Sequence, residues 1–328
     1  MAKAVLFDRL GGPEVLQLKD VELGSPGREE LRIRVEAIGL NRSEAMFRAG
    51  TYFYQPSLPS SRLGYEAAGV VESVGADVQD FAAGDLIISA ANFEMGRYGV
   101  YGDEVIIPAS STLHRPGTVD AVSGAAIWMA YSTAYGALVE KARMRPGDTV
   151  LITAASSSVG IAAIQTANHL GAIPVAVTRR AEKKQRLLEI GAKHVIVGEG
   201  MELVEQLRAI TGGRGAELVF DPIAGPGLET IAQALAADGT LVVYGWLDLR
   251  PAALPLNWGL KILGYNNFEL TGSSERLRRA QHFINAGLRS GSFTPVIDST
   301  FELSEIVDAH IRLESNVQVG KIVVTVTR

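Results

Sequence analysis

The sequence contains no cysteine, so it can form neither a disulfide nor a zinc site built on thiolates. It also contains no apolar run of about 18 residues, the length that a membrane-spanning helix needs. The N-terminal stretch MAKAVLFDRL has only a short apolar run before its charges, unlike a signal peptide. Its 31 Lys and Arg residues are outnumbered by 36 Asp and Glu, and no basic block stands out. These absences argue against nucleic-acid and membrane partners, and we expect a cytoplasmic protein.

The middle of the sequence contains short apolar runs at nearly regular intervals. Runs such as VLITA and IPVAV begin near Val150, Ile173, His194, Glu217 and Thr240. The first two helix-like segments between them each end at a glycine, where a helix C-cap is expected. The runs are apolar without alternation, as in a parallel sheet that is covered on both faces. With a sixth run, LKILGYN, the pattern predicts an α/β fold with a doubly wound, parallel, six-stranded sheet.

The rest of the chain has a different pattern. Residues 1–125 hold β-rich runs, such as LRIRVEAIG and AAGVVESVG, which are separated by glycine turns as in a small, partly open β-barrel. The tail, 266–328, ends in the strand-like run KIVVTVT, which suits an edge of that first domain. We therefore predict a β-rich domain formed by 1–125 and completed by 266–328, and a parallel-sheet domain over 126–265.

Glycine is scarce where the first strand of the parallel sheet turns into the first helix. In this turn, TAASSSVG, only Gly160 remains of the glycines that are typical of dinucleotide-binding folds, at the position that packs the helix against the strand. Serines are small, favour helix N-caps and can donate hydrogen bonds to phosphate oxygens. The turn therefore predicts a cofactor loop, although an ordinary strand–turn–helix stays open. The predicted contacts are Ser156, Ser157, Ser158, Val159 and Gly160.

The end of the second strand bears on which cofactor is bound. Proteins that prefer NAD keep an acid there for the ribose hydroxyls, but this strand ends in VAVTRRAEKK. Arginine and lysine side chains at this place suit a 2′-phosphate. The alternative is a solvated helix start, but cations at a helix N-terminus oppose the helix dipole. We therefore predict NADPH, held at this strand end by Thr178, Arg179, Arg180 and Lys183.

Several stretches in a fixed order resemble one family over nearly the whole chain. They include AIGLNRSE (37–44), LGYEAAGVVESVGADVQDFAAGD (63–85), RPGDTVLITAASSSVG (145–160) and LESNVQVGKIVV (313–324). These stretches resemble the zinc-free quinone oxidoreductase branch of the medium-chain dehydrogenase/reductase superfamily. The resemblance implies a GroES-like catalytic domain, a Rossmann cofactor domain and an active site in the cleft between them. It also implies an oligomer, and we expect a homodimer.

The resemblance bears on metal chemistry as well. Zinc alcohol dehydrogenases of this superfamily have a ligand Cys where this chain has Asn41, and a ligand His where it has Tyr65. An amide and a phenol are poor replacements, because a catalytic zinc needs about three N, S or O protein ligands. We therefore expect no metal.

Candidate catalytic residues also follow from the resemblance. Asn41 matches an asparagine near the nicotinamide ribose or the substrate oxygen, although an Asx turn would also account for it. Tyr52, in RAGTY, matches a tyrosine that lines the substrate cleft; a carbonyl-polarising role and a packing role both stay open. Met46 stands where relatives often have another tyrosine, and Tyr54 is a candidate substitute. Thr133 matches a threonine at the carboxamide end of the cofactor, with a bond back to its own helix as the alternative.

Further predicted cofactor contacts follow the fourth and fifth strands, because strand ends face the cofactor crevice in this fold. Others lie in the tail, which the resemblance brings back to the cofactor. Loop geometry alone, or a surface charge for the lysine, is the alternative for these positions. The residues are Asp221, Ala224, Tyr244, Gly245, Asn316 and Lys321.

Without a metal, interconversion of an alcohol and a ketone lacks a Lewis acid, whereas reduction of a conjugated C=C bond needs less help. Hydride adds to the β-carbon, hydrogen-bond donors stabilise the charge that reaches the oxygen, and a tyrosine or water supplies the proton. The aromatic stretch TYFYQPSLPSSR favours a small, neutral, apolar substrate. We predict an NADPH-dependent oxidoreductase of quinones or α,β-unsaturated carbonyl compounds. An enoyl-thioester reductase stays open, and so does an NADPH-binding sensor or structural protein without turnover.

Overall fold

The computed structural model describes residues 1–257 and 259–327. These residues divide into two compact units, one formed by Met1–Met129 with the tail from Pro295 onward, the other by Ala130–Thr294. The strands, in chain order, are β1 (Ala2–Leu6), β2 (Gln17–Val21), β3 (Glu30–Gly39), β4 (Glu66–Val74), β5 (Leu86–Ser89), β6 (Glu104–Pro108), β7 (Thr112–His114), β8 (Thr149–Ile152), β9 (Ile173–Thr178), β10 (His194–Val197), β11 (Ala216–Asp221), β12 (Leu235–Val243), β13 (Lys261–Gly264), β14 (Ile297–Glu302) and β15 (Lys321–Thr325).

The helices lie between these strands, and one of them, the fourth, continues as π-helical turns over Tyr135–Lys141. Among the described residues, no helix combines the length and the apolarity that crossing a membrane requires. The α-helices, in chain order, are α1 (Arg42–Arg48), α2 (Met95–Tyr98), α3 (Ala121–Gly124), α4 (Trp128–Ala134), α5 (Ser158–His169), α6 (Lys184–Ile190), α7 (Gly200–Ile210), α8 (Leu228–Ala232), α9 (Phe268–Thr271), α10 (Ser274–Ser290) and α11 (Ile306–Glu314).

The first unit is built on a sheet in the order β14–β15–β3–β4–β5–β7, with β6 paired to β3. Alternate residues of β3 are buried, among them Leu31, Ile33 and Val35, as expected for a strand with one core face. The final strand, β15, pairs antiparallel with β3 and places Val324 opposite Ile38. The end of the chain therefore completes this sheet.

The second unit contains the predicted doubly wound sheet. Its six strands are parallel and lie in the order β10–β9–β8–β11–β12–β13. Leu151, Val175, Val219 and Leu241 point into the core and are fully buried, which explains why these strands are apolar without alternation. The winding reverses between β8 and β11, and in such sheets ligands bind outside the carboxyl ends of the strands at that point.

The units differ from the predicted domains in two segments, 126–129 and 266–294. The prediction assigned everything after residue 265 to the first domain, but 266–294 belong to the second unit, which begins at Ala130 rather than at 126. Within 266–294, the ring of Phe283 on α10 lies 4.7 Å from that of Tyr135, and Arg279 pairs with Glu140 at 2.8 Å. The helical pattern of α10 is readable in the sequence, but the pattern alone does not tell which apolar surface the helix covers.

Candidate functional site

The turn from β8 into α5 is held by side-chain capping. Ser157 is the N-cap residue of α5, and its Oγ accepts a hydrogen bond from the Gly160 amide at 3.0 Å. Ser158 and Val159 lie in the first turn, where main-chain N–H groups have no partner within a helix. Such N–H groups, together with the helix dipole, attract an anion. Because the Ser157 oxygen acts here as an acceptor, its hydroxyl hydrogen stays available to a phosphate oxygen.

Gly160 allows α5 to lie directly against the turn that precedes it. A Cβ at this position would come within 2.7 Å of Ala154 O and of the Ala155 Cα and O atoms. Ala154 has a φ of 46°, in the left-handed region, so the backbone bends sharply here. The turn is therefore compatible with glycine at 160 and with no side chain, which agrees with the packing role predicted for this glycine.

Lys183 joins this loop to the chain beyond the second strand. Its buried side chain donates from Nζ to Ser156 Oγ at 2.9 Å. At the end of β9, the Thr178 hydroxyl oxygen accepts a hydrogen bond from the Arg180 amide at 3.1 Å, which closes a turn. Arg179 and Arg180 are exposed. The structure thus brings Lys183 and Ser156 together and leaves the two guanidinium groups at the surface.

Asp221 organises the loop after β11. Its carboxylate accepts hydrogen bonds from the Thr153 hydroxyl at 2.5 Å and from the Ile223 and Ala224 amides at 3.0 and 2.7 Å. Burial raises the pKa of Asp221, and these hydrogen bonds oppose the rise. Ala224 has a φ of 56°, which is strained for a residue with a Cβ atom. Asp221 therefore shapes this loop together with Thr153, a residue that the sequence analysis did not name; its place directly after β8 was the available signal.

Tyr244 has a buried hydroxyl close to the capping serine. Its ring stacks on Phe220 with the centroids 3.9 Å apart. Among the described residues, Tyr244 Oη has no partner within hydrogen-bond geometry, although the Ser157 hydroxyl lies near enough to oppose the rise in its pKa that burial causes. A Cβ on the next residue, Gly245, would come within 2.9 Å of Pro222 O, so glycine permits this loop to pack closely. A buried hydroxyl without a good partner is costly unless a ligand satisfies it.

These features of the second unit fit a nicotinamide dinucleotide. The first turn of α5 supplies free N–H groups, the three serines supply hydroxyl donors, and the glycine-permitted turn brings the backbone close. The buried Tyr244 hydroxyl, which has no hydrogen-bond partner among the described residues, is a further polar group that a cofactor could contact. Thr133 is buried on α4, and its contact with the cofactor stays a prediction.

In the first unit, Asn41 and Lys321 meet at a buried ion pair. Lys321 Nζ donates to Asn41 Oδ1 at 2.6 Å and to Glu66 Oε2 at 2.5 Å. Both charged side chains of the pair are 1% exposed. Because an ammonium only donates, it orients the Asn41 amide with Oδ1 toward Lys321 and Nδ2 toward Gly39 O. The structure thus unites two predicted residues with Glu66, which the sequence analysis did not single out.

Glu44 extends this buried cluster. Its carboxylate accepts hydrogen bonds from the main-chain N–H of Asn41 at 2.5 Å and from the main-chain N–H of Tyr65 at 3.2 Å. Asn41 is the N-cap of α1 and Glu44 its third residue, which is the spacing of a capping box and could have been read from the sequence. Burial raises the pKa of Glu44 to about 7, against the lowering effect of Lys321. Asn41 therefore begins α1 through its main-chain contact with Glu44, in addition to its side-chain contact with Lys321.

Asn316 holds a turn in the tail. It has a φ of 58°, which asparagine tolerates better than most residues. Its Oδ1 accepts a hydrogen bond from Arg42 Nη2 at 2.5 Å, and its Nδ2 donates to Glu314 O at 3.0 Å. These contacts account for an asparagine between α11 and β15, and its contact with the cofactor stays a prediction.

Three tyrosine hydroxyls converge in the first unit. Tyr65 Oη lies 3.4 Å from Tyr52 Oη and is hydrogen-bonded to Tyr54 Oη. The ring of Tyr52 packs edge-on against Phe47. Burial raises the pKa of all three phenols, so they stay protonated at neutral pH and can donate hydrogen bonds. Tyr54 thus lies beside Tyr52, as expected for a substitute for the tyrosine that Met46 replaces.

The positions that hold zinc in alcohol dehydrogenases have other partners in this chain. Asn41 Oδ1 accepts a hydrogen bond from the Lys321 ammonium, which also pairs with Glu66, and Tyr65 is a protonated phenol that contacts other phenols. An ammonium at this distance repels a second cation. Within residues 1–257 and 259–327, no group of three or more His, Asp or Glu side chains is arranged to hold a metal ion. This donor set does not fit zinc.

Comparisons with known proteins indicate the family of this chain. Residues 27–152 match the alcohol dehydrogenase GroES-like domain, and residues 158–286 match the zinc-binding dehydrogenase domain. The chain is 30% identical to a quinone oxidoreductase from Homo sapiens, over 94% of this chain and 93% of the relative, and 30% identical to one from Pseudomonas aeruginosa, over 98% and 99%. A mycobacterial protein solved in complex with NADPH has a TM-score of 0.89 at 27% identity, over 99% of this chain and 100% of that one.

These matches confirm the resemblance and the predicted fold. The two domain families cover most of the chain in the predicted order, and both relatives from Homo sapiens and Pseudomonas aeruginosa are quinone oxidoreductases. The chain belongs to the medium-chain dehydrogenase/reductase superfamily, as a member of its quinone oxidoreductase family of nicotinamide-dependent oxidoreductases.

Proposed function

We propose that this protein transfers hydride from NADPH to a quinone or to the C=C bond of an α,β-unsaturated carbonyl compound, without a metal ion. The observation that carries the choice of NADPH is the end of β9. The strand ends at Thr178, two exposed arginines follow, and no acid stands at the place that a ribose 2′-hydroxyl requires. The relative that was solved with NADPH supports the same choice.

Residues of the second unit hold the cofactor in this proposal. The first turn of α5 and the hydroxyls of Ser156, Ser157 and Ser158 bind the pyrophosphate, and Arg179 and Arg180 bind the 2′-phosphate. Lys183 adds positive charge next to the loop through its contact with Ser156. When bound, the cofactor supplies the hydride.

Tyr52 is the proposed donor to the substrate oxygen. Hydride addition to the β-carbon moves an electron pair onto the carbonyl oxygen, and the Tyr52 O–H supplies the proton that this oxygen takes up. Burial keeps the pKa of Tyr52 high, so the proton is present at neutral pH and is replaced from solvent after transfer. The enol formed in this way tautomerises to the saturated carbonyl compound or, where the substrate is a quinone, to the quinol.

Zinc has no part in the proposal, because the donor atoms that would meet it are engaged by Lys321. The charge on the substrate oxygen must then be stabilised by hydrogen-bond donors alone. This limits the reaction to substrates that delocalise charge, such as quinones and enones, and disfavours simple ketones.

The double variant Arg179→Ala/Arg180→Ala tests the cofactor assignment. Loss of two charge-assisted contacts should weaken the Kd for NADPH by about tenfold to a hundredfold and leave the Kd for NADH nearly unchanged. Arg186→Ala is the matched control, because Arg186 is an exposed arginine of the same unit. Equal losses for both cofactors would contradict the assignment to the 2′-phosphate.

A substrate panel tests the reaction. Quinones, enones, enals and simple ketones are each supplied with NADPH or NADH, with and without a chelator. Oxidation of NADPH by quinones or enones in the presence of chelator is the expected result. Binding of NADPH without oxidation by any compound would contradict the reductase assignment, and loss of activity with chelator would contradict the metal-free mechanism.

Sedimentation of the same protein tests the expected homodimer.

A further inference from the structure

The hydroxyl of Tyr52 is connected to two further tyrosines in the first unit. We propose that Tyr54 and Tyr65 are positioning residues, which orient the Tyr52 hydroxyl so that its hydrogen points to the oxygen of a carbonyl or quinone substrate. The proposal rests on the proposed function, since it assigns a task to the hydroxyl that donates in that reaction.

The main-chain amide of Met95 holds the Tyr54 end of this series of three hydroxyls. Met95 N donates to Tyr54 Oη at 3.0 Å. An amide N–H can only donate, so it occupies an acceptor position on the Tyr54 oxygen. When a substrate oxygen accepts the Tyr52 hydrogen, Tyr52 can accept from Tyr65 at 3.4 Å and Tyr65 from Tyr54, since either atom of each pair can donate. In this order each hydroxyl hydrogen has an acceptor except that of Tyr52, which is left to a ligand.

Tyr65, the middle one of the three tyrosines, is held firmly in place. Its side chain is 1% exposed, and its ring packs on that of Phe93 with the centroids 5.7 Å apart. Its main chain is held on both sides, because its amide donates to Glu44 Oε1 at 3.2 Å and its carbonyl accepts from Ser89 Oγ at 2.7 Å. A hydroxyl fixed in this way can hold the Tyr52 oxygen in one orientation, as preorganised catalysis requires.

The same hydrogen bond also stabilises Tyr52 after it has given up its proton. Loss of the proton leaves a negative charge on the Tyr52 oxygen, and a hydrogen bond from the Tyr65 O–H stabilises that charge. In agreement, burial raises the pKa of Tyr52 and the contact with Tyr65 opposes that rise. Removal of the Tyr65 hydroxyl should therefore slow proton donation while the apolar surroundings of the substrate stay the same.

A double-mutant cycle between Tyr65→Phe and Tyr52→Phe tests the proposal. Tyr65→Phe should lower kcat for an enone or quinone about tenfold, the equivalent of one hydrogen bond, with little change in KM. In the Tyr52→Phe background it should cause no further loss, because it acts through the Tyr52 hydroxyl. Tyr54→Phe should show the same pattern with a smaller loss, and it serves as the second variant where Tyr65→Phe is poorly folded. Tyr98→Phe is the control, since Tyr98 donates to Glu30 and not to any of these three tyrosines.

A binding measurement without turnover separates this proposal from the proposed function. In the presence of NADP+, 4-nitrophenol places a partly charged oxygen where the substrate oxygen would lie, and its absorbance reports hydrogen bonding. Tyr65→Phe should weaken its binding several-fold in the native background and not in the Tyr52→Phe background. Equal losses in both backgrounds, in kcat and in binding, would overturn the positioning role while leaving the function intact. If native protein binds NADPH but neither reduces any panel compound nor binds 4-nitrophenol, the proposed substrate chemistry fails, and the positioning role fails with it.

Discussion

The cofactor loop of the second unit and the polar cluster of the first unit are built in different ways. In the loop the contacts are local: Ser157 caps α5 through the amide of Gly160, which packs on the residues just before the cap. In the cluster, Lys321 reaches Asn41 and Glu66 across 280 and 255 residues of sequence. A local arrangement built largely on main-chain atoms should tolerate the loss of one side chain. A buried ion pair should not.

The largest expected effect is on the cluster. In Lys321→Met the carboxylate of Glu66 stays buried without its cation, and such losses cost about 3–5 kcal/mol. We expect urea unfolding of the full chain to show a decrease of that size in the free energy of unfolding. The double variant Lys321→Met/Glu66→Gln should recover part of it, because it removes the charge that was left unpaired.

An exposed ion pair provides the matched control. Arg186 and Glu189 form a pair whose side chains are 53% and 50% exposed, and Arg186→Met should change stability by less than about 0.5 kcal/mol. A loss for Lys321→Met that is no larger than this control would remove the distinction between the two regions.

The next effect is on the loop, at the position where main chain meets main chain. Gly160→Ala places a Cβ against backbone atoms that cannot yield easily, and we expect a loss of about 2–3 kcal/mol in the free energy of unfolding. Binding of NADPH, measured by fluorescence titration, should be lost as well, because α5 must shift. Gly227→Ala is the control, since a Cβ there meets open space. Wild-type affinity in Gly160→Ala would show that the close approach is not needed for the cofactor.

The same contrast explains how much of the molecule could be predicted. The strands that begin near Val150 and Ile173 were readable because fully buried parallel strands are uniformly apolar, and the family resemblance followed from motifs that are local in sequence. The role of Gly160 was readable for the same reason. The place of α10 was not, because an amphipathic pattern does not name the surface that the helix covers.

Side chains that act through distant partners were missed or placed incompletely. Lys321 was predicted from the tail motif, but its pairing with Glu66 depends on strands β15 and β4, which lie in one sheet only in the folded chain. Tyr65 was noted for what it replaces, not for its contact with Tyr52. Lys183 was predicted as a phosphate contact, and its contact with Ser156 required the turn geometry.

A smaller effect concerns pH and the first unit. His310 is fully buried, and burial together with Arg48 and Arg42 lowers its pKa to about 3 from 6.5. The unfolded state therefore binds more protons than the folded state between pH 3 and 6.5, so the contribution of His310 is complete above pH 6.5 and is lost as the pH falls. At about 1.4 kcal/mol per pH unit, the native protein should lose about 2 kcal/mol from this group between pH 6.5 and 5.

The pKa shift of Glu44 has the opposite effect on the free energy of unfolding over an overlapping pH range. Its pKa of about 7 lies above the ordinary 4.5, so its contribution is complete below pH 4.5 and is lost as the pH rises through 7. The two groups should nearly offset each other between pH 5 and 6.5. In His310→Gln the offset is gone, and urea unfolding at several pH values should show a variant that grows more stable as the pH falls in this range. A variant with the same pH dependence as the native protein would show that His310 does not titrate as described.

The smallest expected effect is the loss of a cap in the cofactor loop. Ser157→Ala removes the acceptor for the Gly160 amide, and N-cap losses of this kind cost about 1 kcal/mol of stability. If the main chain does most of the binding, the affinity for NADPH should fall only a few-fold, far less than in Gly160→Ala. Ser157→Gly sharpens the result, because glycine suits the N-cap position almost as well but offers no hydroxyl to a phosphate. Equal affinities of the alanine and glycine variants, both close to that of the native protein, would mean that the hydroxyl of Ser157 serves the helix and not the cofactor. A loss of affinity in Ser157→Gly as large as in Gly160→Ala would instead mean that this serine binds phosphate directly, and the loop would then depend on single side chains as much as the buried cluster does.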